Sequence, residues 1–256
     1  MEYGVCMLSN IALRGSAKHE STMASQLLFG DVFKVIETNK DWAYIQLDYD
    51  QSKGWIPANQ VEALDKTAYQ KITGTACGIS NEYIDFIEDK NHKLLPVVIG
   101  SVFPGIIDNS FYINSNTYQF SGAYFSTKQP KQTIVHTAFK YLNSPYLYGG
   151  KTPFGIDSSG LVQMAYKISG YKLPRYVGQQ VQKGEALSFI EESEPGDLAF
   201  FDNSEGEIIH VGILLKDNYI IHVDDKVRID RLDQSGLFNT SVNRHTHNLR
   251  VIKKII

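Results

Sequence analysis

Ser158, His210 and His222 are the residues of this sequence best suited to do chemistry together. Ser158 stands where a loop enters a helix. Before it, Pro145, the Gly149-Gly150 pair, Pro153 and Gly155 break any regular element. After it, Leu161, Val162, Ala165, Tyr166 and Ile168 recur at helical spacing until Gly170. At a helix start, unpaired N–H groups and the positive end of the dipole favour an anion or a nucleophile. A plain N-cap at Asp157 or Ser158 fits the same residues.

His210 and His222 lie on two apolar runs, 208–215 and 219–223, separated by Lys216-Asp217-Asn218. A three-residue loop pairs Leu215 with Tyr219 and sets Gly212 opposite His222, so both histidines share one sheet face. A two-residue loop would put them on opposite faces. A nucleophile at a helix start, a histidine base and a polar group orienting that base form a papain-like arrangement. It suits a thiol, whose pKa a helix end and a nearby imidazolium can bring into the neutral range. A serine hydroxyl needs concerted removal of its proton and a well-built oxyanion hole. The G-x-S-x-G elbow of the α/β-hydrolases is absent, because Ile156 stands at its first glycine.

The elements that must position these groups are read from pattern. Residues 1–64 look all-β. Val32, Val35 and the alternating Trp42 to Leu47 suggest short strands with turns between, and Gly54-Trp55-Ile56-Pro57 closes a small SH3-like barrel. Trp42 and Trp55 read as core and rim packing. Residues 65–127 read as a second small β domain, with strands at 94–99, 111–113 and 122–125. Residues 128–256 change character. Pro130 suits a helix start, and Ile134, Val135, Ala138, Phe139 and Leu142 mark one apolar face. The glycine-rich loop and a second helix follow, then the turn Glu194-Pro195-Gly196-Asp197 and strands at 198–201, 208–215, 219–223 and 249–256. Helices followed by an antiparallel sheet make an α+β domain.

Composition excludes several classes. The chain has 256 residues and a formal net charge of −3. No basic run or patch suggests nucleic acid or an anionic membrane. No apolar stretch approaches the roughly 18 residues of a spanning helix. The first residues show no charged segment leading into an apolar one, so a cytoplasmic location is expected. Cys6 and Cys77 lack metal or disulfide spacing. His245-Thr246-His247 alternates as metal ligands might, but without a third ligand nearby it reads as a solvated strand end. No metal or cofactor is expected, and nothing in the pattern fixes an oligomeric state.

The motifs Pro145-Tyr146-Leu147-Tyr148-Gly149-Gly150, Gly155-Ile156-Asp157-x-Ser159-Gly160, Glu194-Pro195-Gly196-Asp197, His210-Val211-Gly212-Ile213 and Ile221-His222 resemble the NlpC/P60 cell-wall peptidases. The amino-terminal half is similar to the SH3-like domains of that family's muropeptide-recycling subgroup. The resemblance implies a papain-like cysteine peptidase that cuts L-Ala-γ-D-Glu-diamino-acid peptides between γ-D-Glu and the diamino acid. It makes position 158 the nucleophile, His210 the base, His222 its orienting group and Tyr146 the active-site tyrosine. It gives Asp157 and Ser159 the free amine of a terminal L-Ala, and puts Arg175, Tyr176 and Tyr49 beside the substrate.

The departures from the pattern cluster. Ser158 replaces the family's Cys, Tyr148 its usual Trp, Tyr176-Val177 the Asp-Ala after Arg175, and Val223-Asp224-Asp225 the Ala-Ser-Gly after the second histidine. The subgroup's amine-binding Glu and Tyr fall at Thr22 and Ser52, with Glu20 and Tyr49 nearby but out of register. Three functions remain open: an endopeptidase weakened or silenced by Ser158, a pseudoenzyme that binds muropeptide or another ligand without cutting it, and a serine amidase.

Overall fold

The computed structural model describes residues 2–256, which divide after Lys128 into two compact units. In the first, seven strands form one antiparallel sheet in the order Met23–Leu28, Asn10–Arg14, Lys53–Pro57, Trp42–Leu47, Val32–Thr38, Tyr3–Val5, Glu62–Leu64. The alternation over Trp42–Leu47 is a true strand, with Trp42, Ala43, Ile45 and Leu47 buried. Its core is Cys6, Ile11, Leu13, Leu27, Phe33, Ala43, Ile45, Leu47 and Ile56. Tyr49 sits in the turn before Lys53–Pro57.

The region 65–127 differs from its expectation in two ways. It opens with a helix, Lys66–Thr73, whose first turn is capped by the Asp65 carboxylate accepting from Ala68 N at 2.7 Å. It also shares a core with what precedes it. Val5, Phe29 and Leu64 pack with Ile87, Val97, Phe103, Phe111 and Phe120. The segments meet closely: Val102 N donates to Phe29 O at 2.8 Å, and a Cβ on Gly30 would lie 1.9 Å from Val102 O. The two segments thus lie in one compact unit, in which the first sheet keeps a core of its own and a second apolar cluster draws on both segments.

Elements of the second unit are numbered from its start. Helices α1 (Gln132–Lys140), α2 (Ser158–Ile168) and the short α3 (Val177–Gln180) accompany strands β1 (Glu185–Leu187), β2 (Leu198–Asp202), β3 (Ile208–Leu214), β4 (Tyr219–Val223), β5 (Val227–Asp233), β6 (Gly236–Asn239) and β7 (Arg244–Lys254). The strand order is β1-β7-β2-β3-β4-β5-β6, and β6 pairs again with β7, so β2 to β7 close on themselves. Ring closure leaves no free edge among these strands. Ala199, Phe201, Leu214, Ile220, Leu232, Leu237 and Ile252 form one apolar cluster on them. Helix α2 packs on α1 and on β3 and β4, and its residues Ser159 to Ile168 are all buried. Two polar side chains inside it are accommodated by bonding: Tyr166 OH donates to Gly196 O at 2.6 Å, and Gln163 Nε2 to Leu173 O at 3.2 Å.

The apolar face expected on α1 is only partly inward. Ile134 and Ala138 are buried, whereas Phe139 and Leu142 are exposed. Val135 and Phe139 instead line a cavity of about 720 Å³ with Leu215, Tyr219 and Ile229, which contains none of the predicted site residues.

Candidate active site

The loop before α2 is fixed by close backbone contact. Residues 143–146 pair with the segment joining β4 to β5: Asn143 N donates to Val227 O at 2.9 Å and Tyr146 N to Asp225 O at 3.0 Å. The loop then doubles back through a short hairpin, Lys151–Thr152 with Gly155–Ile156. A Cβ on Gly150 would lie 2.3 Å from Gly155 O, and one on Gly160 would lie 2.4 Å from Gly150 O, so both turns require glycine. Gly149 itself has a positive φ of 77°.

Ser158 is the first residue of α2, partly exposed, with Asp157 as N-cap. The Asp157 carboxylate is a hub. Its Oδ1 accepts from Gly160 N (2.7 Å), Ser159 Oγ (3.2 Å) and Arg175 Nη1 (2.9 Å), and its Oδ2 from Gly149 N (2.8 Å) and Arg175 Nη2 (2.7 Å). Arg175 also donates to Ser159 Oγ at 2.9 Å and is 1% exposed. The guanidinium expected beside the substrate is thus an internal brace, tying α2's first turn to the loop and to the chain before α3 through a bidentate pair. Tyr146 is half exposed on the same loop, and its hydroxyl is pushed up by burial and then by Asp157 and Tyr148. Tyr176, also exposed, is the residue before α3 and makes no side-chain capping bond there. Tyr49 belongs to the first unit.

The histidine register is the one a three-residue loop gives. Leu215 N donates to Tyr219 O at 2.8 Å, and Gly212 pairs with His222. Asp217 and Asn218 take left-handed φ values of 58° and 57° to make that turn, a conformation these residue types tolerate. His210 Nε2 lies 3.0 Å from His222 Nδ1. The array continues beyond the residues foreseen: His222 Nε2 is 3.0 Å from Asp230 Oδ2, which Arg228 Nε also meets at 2.8 Å. His210, His222 and Asp230 are all buried. Asp230 sits on β5 opposite Ile220, two residues from the Arg228 that faces His222. That strand neighbourhood is the signal that could have found it.

His247 is the second residue the sequence missed. Its ring stacks on His210 at 4.4 Å between centroids, while His245 pairs with Asp233 at the surface. The solvated strand end is therefore correct for His245 and not for His247, because the β6–β7 register shifts between them, setting His247 opposite Leu237 and His245 opposite its neighbour Phe238. Burial first, then His222 and His247, hold His210 well below the usual histidine value. Burial likewise lowers His247. Burial raises the Asp230 carboxyl, but the hydrogen bonds of His222 and Arg228 outweigh it and hold the group below the usual range. Among the described residues, no group of three or more His, Cys, Asp or Glu is arranged to hold a metal ion, and no helix is long and apolar enough to cross a membrane.

The structure therefore brings the predicted residues together in two groups. Tyr146, Asp157, Ser158, Ser159 and Arg175 gather at the start of α2, and His210 and His222 meet on the strands against which α2 packs.

Known proteins carry the same elements. Residues 143–246 match the NlpC/P60 family, and residues 13–61 match the bacterial dipeptidyl-peptidase SH3 domain. The gamma-D-glutamyl-L-lysine dipeptidyl-peptidase of Bacillus subtilis is 26% identical over 220 residues, covering 79% of this chain and 73% of that protein. Dipeptidyl-peptidase 6 of Lysinibacillus sphaericus is 24% identical over 260 residues, covering 90% and 91%. The crystal structure of an NlpC/P60 family protein from Bacillus cereus has the same fold, with a TM-score of 0.81 over 99% of both chains at 18% identity. The second unit of this chain is thus similar to the NlpC/P60 family over residues 143–246, and the first to the bacterial dipeptidyl-peptidase SH3 domain over residues 13–61.

Proposed function

We propose that the second unit is a cysteine-peptidase-type site for L-Ala-γ-D-Glu-diamino-acid peptides derived from peptidoglycan, with position 158 as the attacking group. His210 would take its proton, His222 would orient His210, and Tyr146 would stand beside the reacting carbonyl. The single observation that carries the reading is the buried His210–His222–Asp230 array on the strands packed against α2, the helix that Ser158 begins. The relatives named for γ-D-glutamyl-L-lysine cleavage support the substrate class. Asp157 and Ser159 would meet the terminal amine of L-Ala, with Tyr176 as a further substrate contact. Because Arg175 already occupies both oxygens of Asp157, the brace supports that contact and does not itself touch substrate.

Hydrolysis by this route asks the most of Ser158. A thiol can be ionised by the helix end and an imidazolium, whereas a hydroxyl depends on a base strong enough to take its proton as the bond forms. The depressed basicity of His210 makes that base weak. The same observation favours a second reading, retention of the peptide without cleavage. Both are tested by Ala-γ-Glu-diaminopimelate and Ala-γ-Glu-lysine, with hydrolysis followed by mass spectrometry and binding by calorimetry. The native chain is expected to bind and to cut slowly or not at all, and Ser158→Cys to cut at least about 100-fold faster. Binding by both proteins without turnover in Ser158→Cys leaves the binding reading. Absence of binding by either protein sinks the substrate assignment.

A further inference from the structure

We infer that Asp230, braced by Arg228, decides which ring nitrogen of His210 is free to accept a proton. An ionised carboxylate has only acceptors to offer. Asp230 Oδ2, 3.0 Å from His222 Nε2, therefore requires the proton of a neutral His222 to sit on Nε2. The other nitrogen of His222, Nδ1, is then bare and can only accept. It lies 3.0 Å from His210 Nε2, which must carry the His210 proton. The remaining nitrogen, His210 Nδ1, is left with its lone pair exposed as a base. Reversing the first proton reverses every later one and leaves His210 Nδ1 as a donor. The polarity of the array is thus set at its far end, by a residue that touches neither His210 nor position 158.

Arg228 completes the device. Its Nε and Nη2 meet the two oxygens of Asp230 at 2.8 and 3.1 Å, and Nη2 is further fixed by Asn239 Oδ1 and Ser241 Oγ at 2.9 and 3.0 Å. The guanidinium balances the charge of the buried carboxylate, and the assignment is for a neutral His222. An imidazolium there would donate from Nδ1 to His210 and reverse the polarity. Strand register places all the parts: His222 opposite Arg228, and Asp230 two residues on along the same face of β5. Asp230 and Arg228 are positioning residues for whatever His210 serves, and the consequence for position 158 rests on the peptidase reading above.

Nitrogen-15 NMR of the histidine rings in the unsubstituted protein at neutral pH tests the assignment directly. Both His210 and His222 are expected to show a protonated Nε2 and a bare Nδ1. A His222 that is an imidazolium, or that carries its only proton on Nδ1, overturns the inference. In Asp230→Leu the acceptor is gone and Arg228 can donate to His222 Nε2 instead. Both rings should then shift to the Nδ1-protonated form in about half the molecules or more, and unchanged tautomers in that folded variant also overturn it. Alkylation of Ser158→Cys by iodoacetamide, resolved by peptide mass spectrometry from Cys6 and Cys77, reads the link to position 158. Adding Asp230→Leu should slow it by about tenfold or more. Tautomers that change while alkylation does not support the proton assignment and sink only the claim that His210 serves residue 158.

Discussion

At the residue scale, His210 combines a defined hydrogen-bond partner with an environment that resists charge. Desolvation, His222 and His247 all disfavour its imidazolium, while Asp230 supports the array from the other side of His222. The linkage sign follows. A histidine in the unfolded chain takes up its proton near the ordinary value of 6.5, whereas His210 in the fold does not until the pH is well below that. Unfolding therefore consumes a proton in this window, and stability should fall as pH falls from about 6.5. His247 adds to the effect, and Asp230 contributes a further loss below the usual carboxylate range. Urea denaturation at pH 7.5, 6.0 and 5.0 should show this decline, and His210→Gln should flatten it between pH 6.5 and 5. An unchanged slope in that variant would place the acid sensitivity elsewhere. Of these residues, His210 and His222 were legible from strand spacing and loop length. Asp230 and His247 were not singled out, because carboxylates and histidines on strands are ordinarily surface groups; the β4–β5 register places Asp230 beside His222, and His247 lies where β7 pairs with β6.

At the element scale, α2 is the piece that organises the site. Its sequence announces an amphipathic helix, yet every residue from Ser159 onward is buried. The reason is that α1, the strands β3 and β4, and the loop 145–156 surround it, and the loop approaches closely at Gly160. In an exposed helix, Gly→Ala stabilises by about 1 kcal/mol. Here a Cβ would meet Gly150 O at 2.4 Å, so Gly160→Ala is expected to destabilise by about 1–3 kcal/mol and to displace the loop. Gly178, in α3, has nothing within 4 Å of its Cβ position, so Gly178→Ala should be neutral or stabilising by a few tenths of a kcal/mol. Chemical denaturation of the two variants side by side checks the contrast, and equal effects would refute the packing argument. The helix at 66–73 went unforeseen although Asp65 three residues before Ala68 is a capping signal. Its single buried side chain, Tyr69, gives too weak an apolar period to stand out.

At the scale of the whole molecule, the chain folds as two units whose boundary after residue 128 agrees with the change of texture in the sequence near Pro130. Residues 129–256 expressed alone should melt cooperatively with native-like near-ultraviolet dichroism. Residues 65–128 alone should not, because Val5, Phe29 and Leu64 supply part of their core. A cooperative transition in the shorter fragment would mean that the shared core is dispensable. The sequence by itself determined the β texture of the amino-terminal half, the loop-to-helix position of Ser158 and, once the loop at 216–218 is three residues long, the shared face of His210 and His222. These are local properties, set by turn chemistry, by helical period, and by the two-residue alternation of strands joined by a short loop. Only the tertiary structure decided that the first two β regions share an apolar cluster, that Arg175 braces Asp157, and that Asp230 and His247 complete the histidine array. Each of these depends on side chains of separate elements being buried against one another, and a contact of that kind leaves no period in the sequence to read.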